Sequence, residues 1–148
     1  RRQPMMETAP AVRPPGPHDA LVVVDVQNDF VSGTLAVPGG AEVIAPLNRA
    51  IALFEGRGLP VVATRDWHPP DHCSFVAQGG PWPVHCVAGT PGADYVPGLE
   101  LPPGVEHVLK ATRPEADAYS GFSATDLGCA GTTCGASSSA GWRPTTAC

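Results

Sequence analysis

No apolar run in this chain approaches the roughly 20 residues that a membrane-spanning helix needs, so the sequence offers no such span. It has no basic cluster either, and its formal net charge of −5 argues against a nucleic-acid binder. A disulfide scaffold is disfavoured on cysteine placement. Cys129, Cys134 and Cys148 crowd the end of the chain, and the body holds only Cys73 and Cys86. No signal-type hydrophobic region precedes them, so a reducing cytoplasm is the expected compartment. What remains is 148 residues, 43% of them hydrophobic, enough for one globular domain with a real core.

Hydrophobic patterning points to an α/β fold with a parallel sheet. Residues 1–19 are rich in Pro and Arg without periodicity and read as a disordered lead-in. Residues 20–25 form a continuous β-branched run ending in Asp25, the signature of a strand covered on both faces. Gly39 and Gly40 punctuate. Across residues 41–55, Val43, Ile44, Leu47, Ile51 and Phe54 recur at helical spacing, and Gly56 and Gly58 end the helix. A second strand over 59–64 completes a βαβ unit, expected to be right-handed. A third strand is expected at 105–109, ending at Lys110. Asp25, Asp66 and Lys110 then each lie just past the C-terminal end of a parallel strand. In open α/β sheets that edge binds ligands.

Residues 65–85 carry the densest chemistry. Three of the five histidines and two of the three tryptophans fall there. Asp66 and His68 share a parity, so a continued extended backbone points both side chains the same way. His72 and His85 can fold back over them from a loop stiffened by Pro69, Pro70, Pro81 and Pro83. One carboxylate with two or three imidazoles suits a first-row divalent metal. The same spacing also fits an Asp–His hydrogen bond with two surface histidines, and residue types alone leave both readings open.

Other residues carry paired readings too. Asp25 follows four buried apolar residues and is either a desolvated general acid or base, or a carboxylate capping loop amides as Asp29 could. Lys110 is either a solvated strand-end lysine or a cation that acidifies a neighbouring thiol. Phe30, Trp82 and Tyr119 either line a flat aromatic pocket or pack loops. Cys86 reads as buried packing rather than a nucleophile.

Taken together, these residues resemble the nicotinamidase/pyrazinamidase family of the isochorismatase-like cysteine hydrolases. The matching pieces are Val23-Val24-Asp25-Val26-Gln27-Asn28-Asp29-Phe30, Asp66-Trp67-His68-Pro69-Pro70-Asp71-His72, and Trp82-Pro83-Val84-His85-Cys86 through Asp94. Lys110 and the run Asp117-Ala118-Tyr119-Ser120-Gly121-Phe122 match as well, so the resemblance covers residues 20–127. It implies a Rossmann-like three-layer α/β fold. It also implies Asp66, His68, His72 and His85 as ligands of a divalent metal (zinc, iron or manganese) that holds the pyridine nitrogen of nicotinamide. Asp25 and Lys110 would be two members of an Asp-Lys-Cys triad, and Phe30, Trp82 and Tyr119 would sandwich the ring.

The family's nucleophile segment, Gly-Ile/Leu-Ala-Thr-Asp-Tyr/His-Cys-Val, is not spelled by this sequence. Residues 128–148 contain no Val, Ile, Leu, Asp, Glu or Lys and show no periodicity. Read from the third base of each codon, with allowed third bases, residues 135–147 can instead encode Arg-Val-Val-Val-Cys-Gly-Leu-Ala-Thr-Asp-Tyr-Cys. That is a buried strand followed by the nucleophile motif. The expectation is therefore a C-terminally truncated domain, frameshifted after about residue 127, with an aberrant tail over 128–148 in which Cys148 is a weak substitute nucleophile. Loss of the later strands would expose apolar sheet surface at residues 105–109. Two other functions stay open: a non-catalytic binder of metal or pyridine, and a related hydrolase with another substrate.

Overall fold

Branched residues dominate three short extended runs, and in the computed structural model, which describes residues 13–122, all three enter one sheet. Strand β1 spans Leu21–Val24, β2 spans Val61–Asp66 and β3 spans Glu106–Lys110. Their order is β1-β2-β3 and both pairings are parallel. The register sets Val23 beside Ala63 and Asp66 beside Lys110. This is the α/β architecture expected, with strand ends within two residues of those read from the sequence.

The connection from β1 to β2 contains a single helical turn, α1 (Asn28–Val31), and the helix α2 (Ile44–Glu55). A 3-10 turn at Gly40–Val43 leads into α2. Ile51 is buried, and Ile44, Leu47 and Phe54 pack with it against a core of Val23, Val26, Val61, Ala63 and Val96. Burying a residue such as Ile51 stabilises by roughly 1.5–3 kcal/mol, which is what fixes the helix to this face. Val43, expected on that stripe, is 45% exposed. It belongs to the 3-10 turn, whose three residues per turn put it out of phase with the helix. Gly58 takes a left-handed φ of 65° past the end of α2, a conformation that favours glycine.

The other face of the sheet is thinner. Its buried apolar cluster consists of Val62 and Val108. Exposure falls on β1, where Val24 is 59% exposed, while Val108 in β3 is 5% exposed. The sequence expectation had put that exposure at residues 105–109. Within the lead-in, Arg13 pairs with Asp19 at 2.8 Å and Arg57 donates to the Pro15 carbonyl at 2.7 Å. The expected tail, with Cys148, lies outside the described residues. No helix among the described residues is long and apolar enough to cross a membrane.

Candidate active site

Three polar side chains meet where the strands end. The Lys110 ammonium lies 2.6 Å from Asp25 Oδ2 and 2.8 Å from Asp66 Oδ1, and the lysine is 2% exposed. Thr64 donates its hydroxyl to Asp25 Oδ1 at 2.8 Å. Burial raises the Asp25 carboxyl, and the opposing contacts with Lys110 and Thr64 do not cancel it. For Asp66, burial also pushes upward, but His68 and Lys110, which face its carboxylate, outweigh it and the net shift is down. Burial pulls Lys110 down, and its two carboxylates more than reverse this, so it stays protonated.

A second group adjoins the first. Single ligand atoms of Asp66, His68 and His85 all lie within 4.8 Å of one another. Each imidazole is oriented by a backbone carbonyl: His68 Nδ1 lies 3.2 Å from the Ala111 oxygen, and His85 Nδ1 lies 2.8 Å from the Pro83 oxygen. A carbonyl only accepts, so Nδ1 carries the proton in both rings and the Nε2 lone pair is left for a metal. Asp66 Oδ1 is buried without a hydrogen bond of good geometry and meets Lys110 as an ion pair. This donor set fits a divalent cation.

His72, the fourth ligand implied by the resemblance, is placed beside this group rather than in it. Its ring stacks on His68 with centroids 4.3 Å apart. The Ser74 amide donates to His72 Nδ1 at 3.3 Å, so that nitrogen holds a lone pair and Nε2–H donates to the Ala116 carbonyl at 3.2 Å. Both ring nitrogens are thus used within the protein.

All the other expected site residues among those described face one cavity of about 430 Å³. Asp25, Asp66, His68, His85 and Lys110 line it together with Phe30, Trp82 and Tyr119. Phe30 lies 5.6 Å from the His85 ring, and Trp82 Nε1 donates to the Tyr119 hydroxyl at 3.4 Å near the mouth. Cys86 is fully buried, and burial together with the carboxylates of Asp66, Asp29 and Asp25 drives its thiol well above the usual range. It packs, as expected, and does not supply a thiolate.

Two features were invisible in the sequence, the left-handed backbone at three residues and the buried amide of Gln27, while Asp29 caps a loop amide as its sequence reading allowed. Asp25, Cys86 and Ala111 hold positive φ values of 52°, 45° and 48°, the complete set of non-glycine residues in that region among the described residues. Each adjoins or is a site residue, the kind of place where backbone strain collects. Asp29 accepts the Cys86 amide at 2.8 Å from a slot between Gly33 and Gly92, either of which would clash with it if given a Cβ. Gln27 is fully buried, with its side-chain amide on the backbone of Asp66. A polar residue two positions past a strand end was the available signal, and it does not distinguish a buried amide from a surface one.

Parallel strands that deliver an Asp–Lys pair beside a carboxylate–imidazole cluster define a class, and comparison with known proteins names it. The isochorismatase domain model matches residues 19–130, and the chain belongs to that family. The chain is 38% identical over 122 residues to a nicotinamidase of Escherichia coli strain K12, covering 72% of this chain and 57% of that one. A pyrazinamidase of Pyrococcus horikoshii, solved in complex with zinc, is 51% identical with a TM-score of 0.72, over 75% of this chain and 62% of that one. The yeast nicotinamidase bound to the inhibitor nicotinaldehyde is 30% identical with a TM-score of 0.64, over 74% of this chain and 67% of that one. The chain thus spans a little over half the length of the curated relatives it matches.

Proposed function

We propose that this chain carries the substrate-anchoring part of a nicotinamidase-type amidohydrolase, which converts nicotinamide to nicotinate and ammonia and also takes pyrazinamide. The observation that carries this reading is the meeting of the Asp66, His68 and His85 donors with the Asp25–Lys110 pair in one cavity. The relatives' printed activities and the zinc and nicotinaldehyde complexes support it.

Asp66, His68 and His85 would hold a divalent cation, of which zinc, iron and manganese all suit one carboxylate and two imidazoles. Such a cation would supply a Lewis-acidic anchor for the pyridine nitrogen. Phe30, Trp82 and Tyr119 would flank the ring and exclude water from its faces. The carboxamide would then lie toward Asp25 and Lys110. In the reaction, a thiolate attacks the carboxamide carbon, the Asp25 carboxyl delivers the proton with which ammonia leaves, and water hydrolyses the thioester. Lys110 holds Asp25 in place through its 2.6 Å contact and favours the thiolate by its charge.

This sequence does not spell the segment that bears the thiol, and Cys86 is buried. We therefore expect the 148-residue chain to lack amidase activity, and a frameshift near residue 128 to be the reason. Sequencing the DNA across codons 125–148 and assaying ammonia release from nicotinamide test this. A frame-restored chain should turn over nicotinamide and the 148-residue chain should not. Robust turnover by the 148-residue chain, or a coding sequence with no Ala-Thr-Asp-Tyr-Cys in either other frame, contradicts it.

A further inference from the structure

Strand β1 stops pairing with β2 just where the site begins. The last backbone contact between them is the Asp25 amide donating to the Thr64 carbonyl at 3.1 Å. Continued in register, the parallel ladder would have the Asp66 amide donate to the Asp25 carbonyl, and the residue 27 amide donate to the Asp66 carbonyl. Neither bond forms. Asp25 turns left-handed at φ 52°, and the Gln27 amide donates instead to the Asp25 carbonyl at 2.8 Å. That closes a tight turn, commits the Gln27 amide hydrogen the ladder needed and engages the Asp25 carbonyl within the turn.

The Gln27 side chain makes the two missing bonds. Its Oε1 accepts the Asp66 amide at 2.8 Å, and its Nε2 donates to the Asp66 carbonyl, also at 2.8 Å. The second Nε2 proton goes to the Ala93 carbonyl at 2.8 Å, so both donors are satisfied with the residue at 0% exposure. The acceptor must face an N–H and the donors must face carbonyls, which fixes the orientation of the amide without ambiguity. A side-chain amide has the same donor–acceptor geometry as a peptide, so Gln27 replaces one rung of the sheet.

We infer that Gln27 is a positioning residue: a side-chain substitute for strand β1 that holds the Asp66 peptide, and so aims the Asp66 carboxylate at the His68 and His85 donors. The arrangement lets β1 leave the sheet and carry Asp25 over Lys110 while β2 keeps its full pairing one residue longer. A backbone rung could not do both, because the single Gln27 amide hydrogen would be needed in the ladder and in the turn. The consequence for metal affinity rests on the metal reading given above; the pairing with Asp66 does not.

Two variants and one exchange measurement test the inference on the 148-residue chain. Gln27→Met keeps the length and volume but none of the bonds, and Gln27→Asn keeps the amide one methylene too short. Both should weaken Co²⁺ binding by about 10- to 100-fold, as loss of a group that orients a ligand does, and should change the visible absorption of bound Co²⁺. A residue that only fills space would lower the melting temperature and leave the affinity and spectrum of the folded protein unchanged; that result overturns the inference. If the unmodified chain binds no Co²⁺, the metal reading fails, and amide hydrogen exchange in the unmodified chain decides the role of Gln27. The Asp66 amide and the Gln27 side-chain amide should be protected alongside the β2 amides. Free exchange at Asp66 with protection retained at Val62 and Thr64 overturns it, even if neither variant folds.

Discussion

One side of the cavity holds Asp66, His68 and His85, drawn from a single stretch of 20 residues; the other holds Asp25 and Lys110, which are 85 positions apart and lie at the ends of the two outer strands. The first side takes its donors from one stretch, its supports from the neighbouring strand ends, and shares Lys110 with the second. Its rings are oriented by the Ala111 and Pro83 carbonyls and its carboxylate backbone by Gln27. The second is held by the sheet alone, and in the proposed reaction it needs a thiol that this sequence does not spell. A ligand cluster whose donors come from one strand end and the loop after it can be preorganised by contacts this chain already makes, from Gln27, Pro83 and Ala111. An acid–base pair that acts on a third residue cannot, because its geometry depends on every strand that brings a member to the edge.

Removing Lys110 should break the second side most severely. Lys110→Met leaves the Asp25 and Asp66 carboxylates facing one another without their shared cation. Breaking a buried ion pair in this way costs about 3–5 kcal/mol, and chemical denaturation of the metal-free chain should show a loss of that size. A change under 1 kcal/mol would mean the cluster is hydrated and the pair weak.

On the first side, His68 and His72 should separate. His68→Ala removes a proposed metal donor and should lower zinc affinity by about 100-fold or more, beyond what an orienting neighbour contributes. His72→Ala should cost stability through its lost bonds to the Ser74 amide and the Ala116 carbonyl, about 1–3 kcal/mol. It should leave zinc affinity within about tenfold of the unmodified chain. Equal losses of affinity for the two variants would make His72 a ligand after all and would require its ring to give up both internal bonds.

The smallest expected effect lies on the α2 face, away from both sides of the cavity. Burial pushes Tyr95 up to about 12 from an ordinary value of 10, with Arg65 opposing the shift and Asp25 adding to it. An acid whose folded value is raised stabilises the fold while it stays protonated. That contribution is complete below pH 10 and is lost as the pH rises towards 12. Thermal unfolding of Tyr95→Phe should therefore fall less steeply over that interval than that of the unmodified chain. Parallel curves would show that the phenol titrates freely.

Much of this could be read before any coordinates. Continuous β-branched runs gave the parallel strands, and placing Asp25, Asp66 and Lys110 at strand ends gave the edge where they meet. Periodicity does not report where a strand stops pairing. The left-handed turn at Asp25 and the surrogate rung made by Gln27 depend on competition for two peptide groups, which no hydrophobic pattern encodes. Nor does residue type fix a tautomer. His68, His72 and His85 look equivalent as ligands, and only the partner of each Nδ1, a carbonyl for two and an amide donor for the third, tells them apart. Exposure of Val24 rather than of the apolar residues Val105, Val108 and Leu109 was equally hidden, since a hydrophobic run does not say which of its side chains the rest of the chain covers.

Zinc titration of the 148-residue chain, with stoichiometry read by calorimetry, tests most directly the claim that one side of the site is complete without the other. The expected result is one zinc per chain, abolished in an Asp66→Asn, His68→Ala double variant. No binding by the unmodified chain, or binding that survives in the double variant, would contradict it.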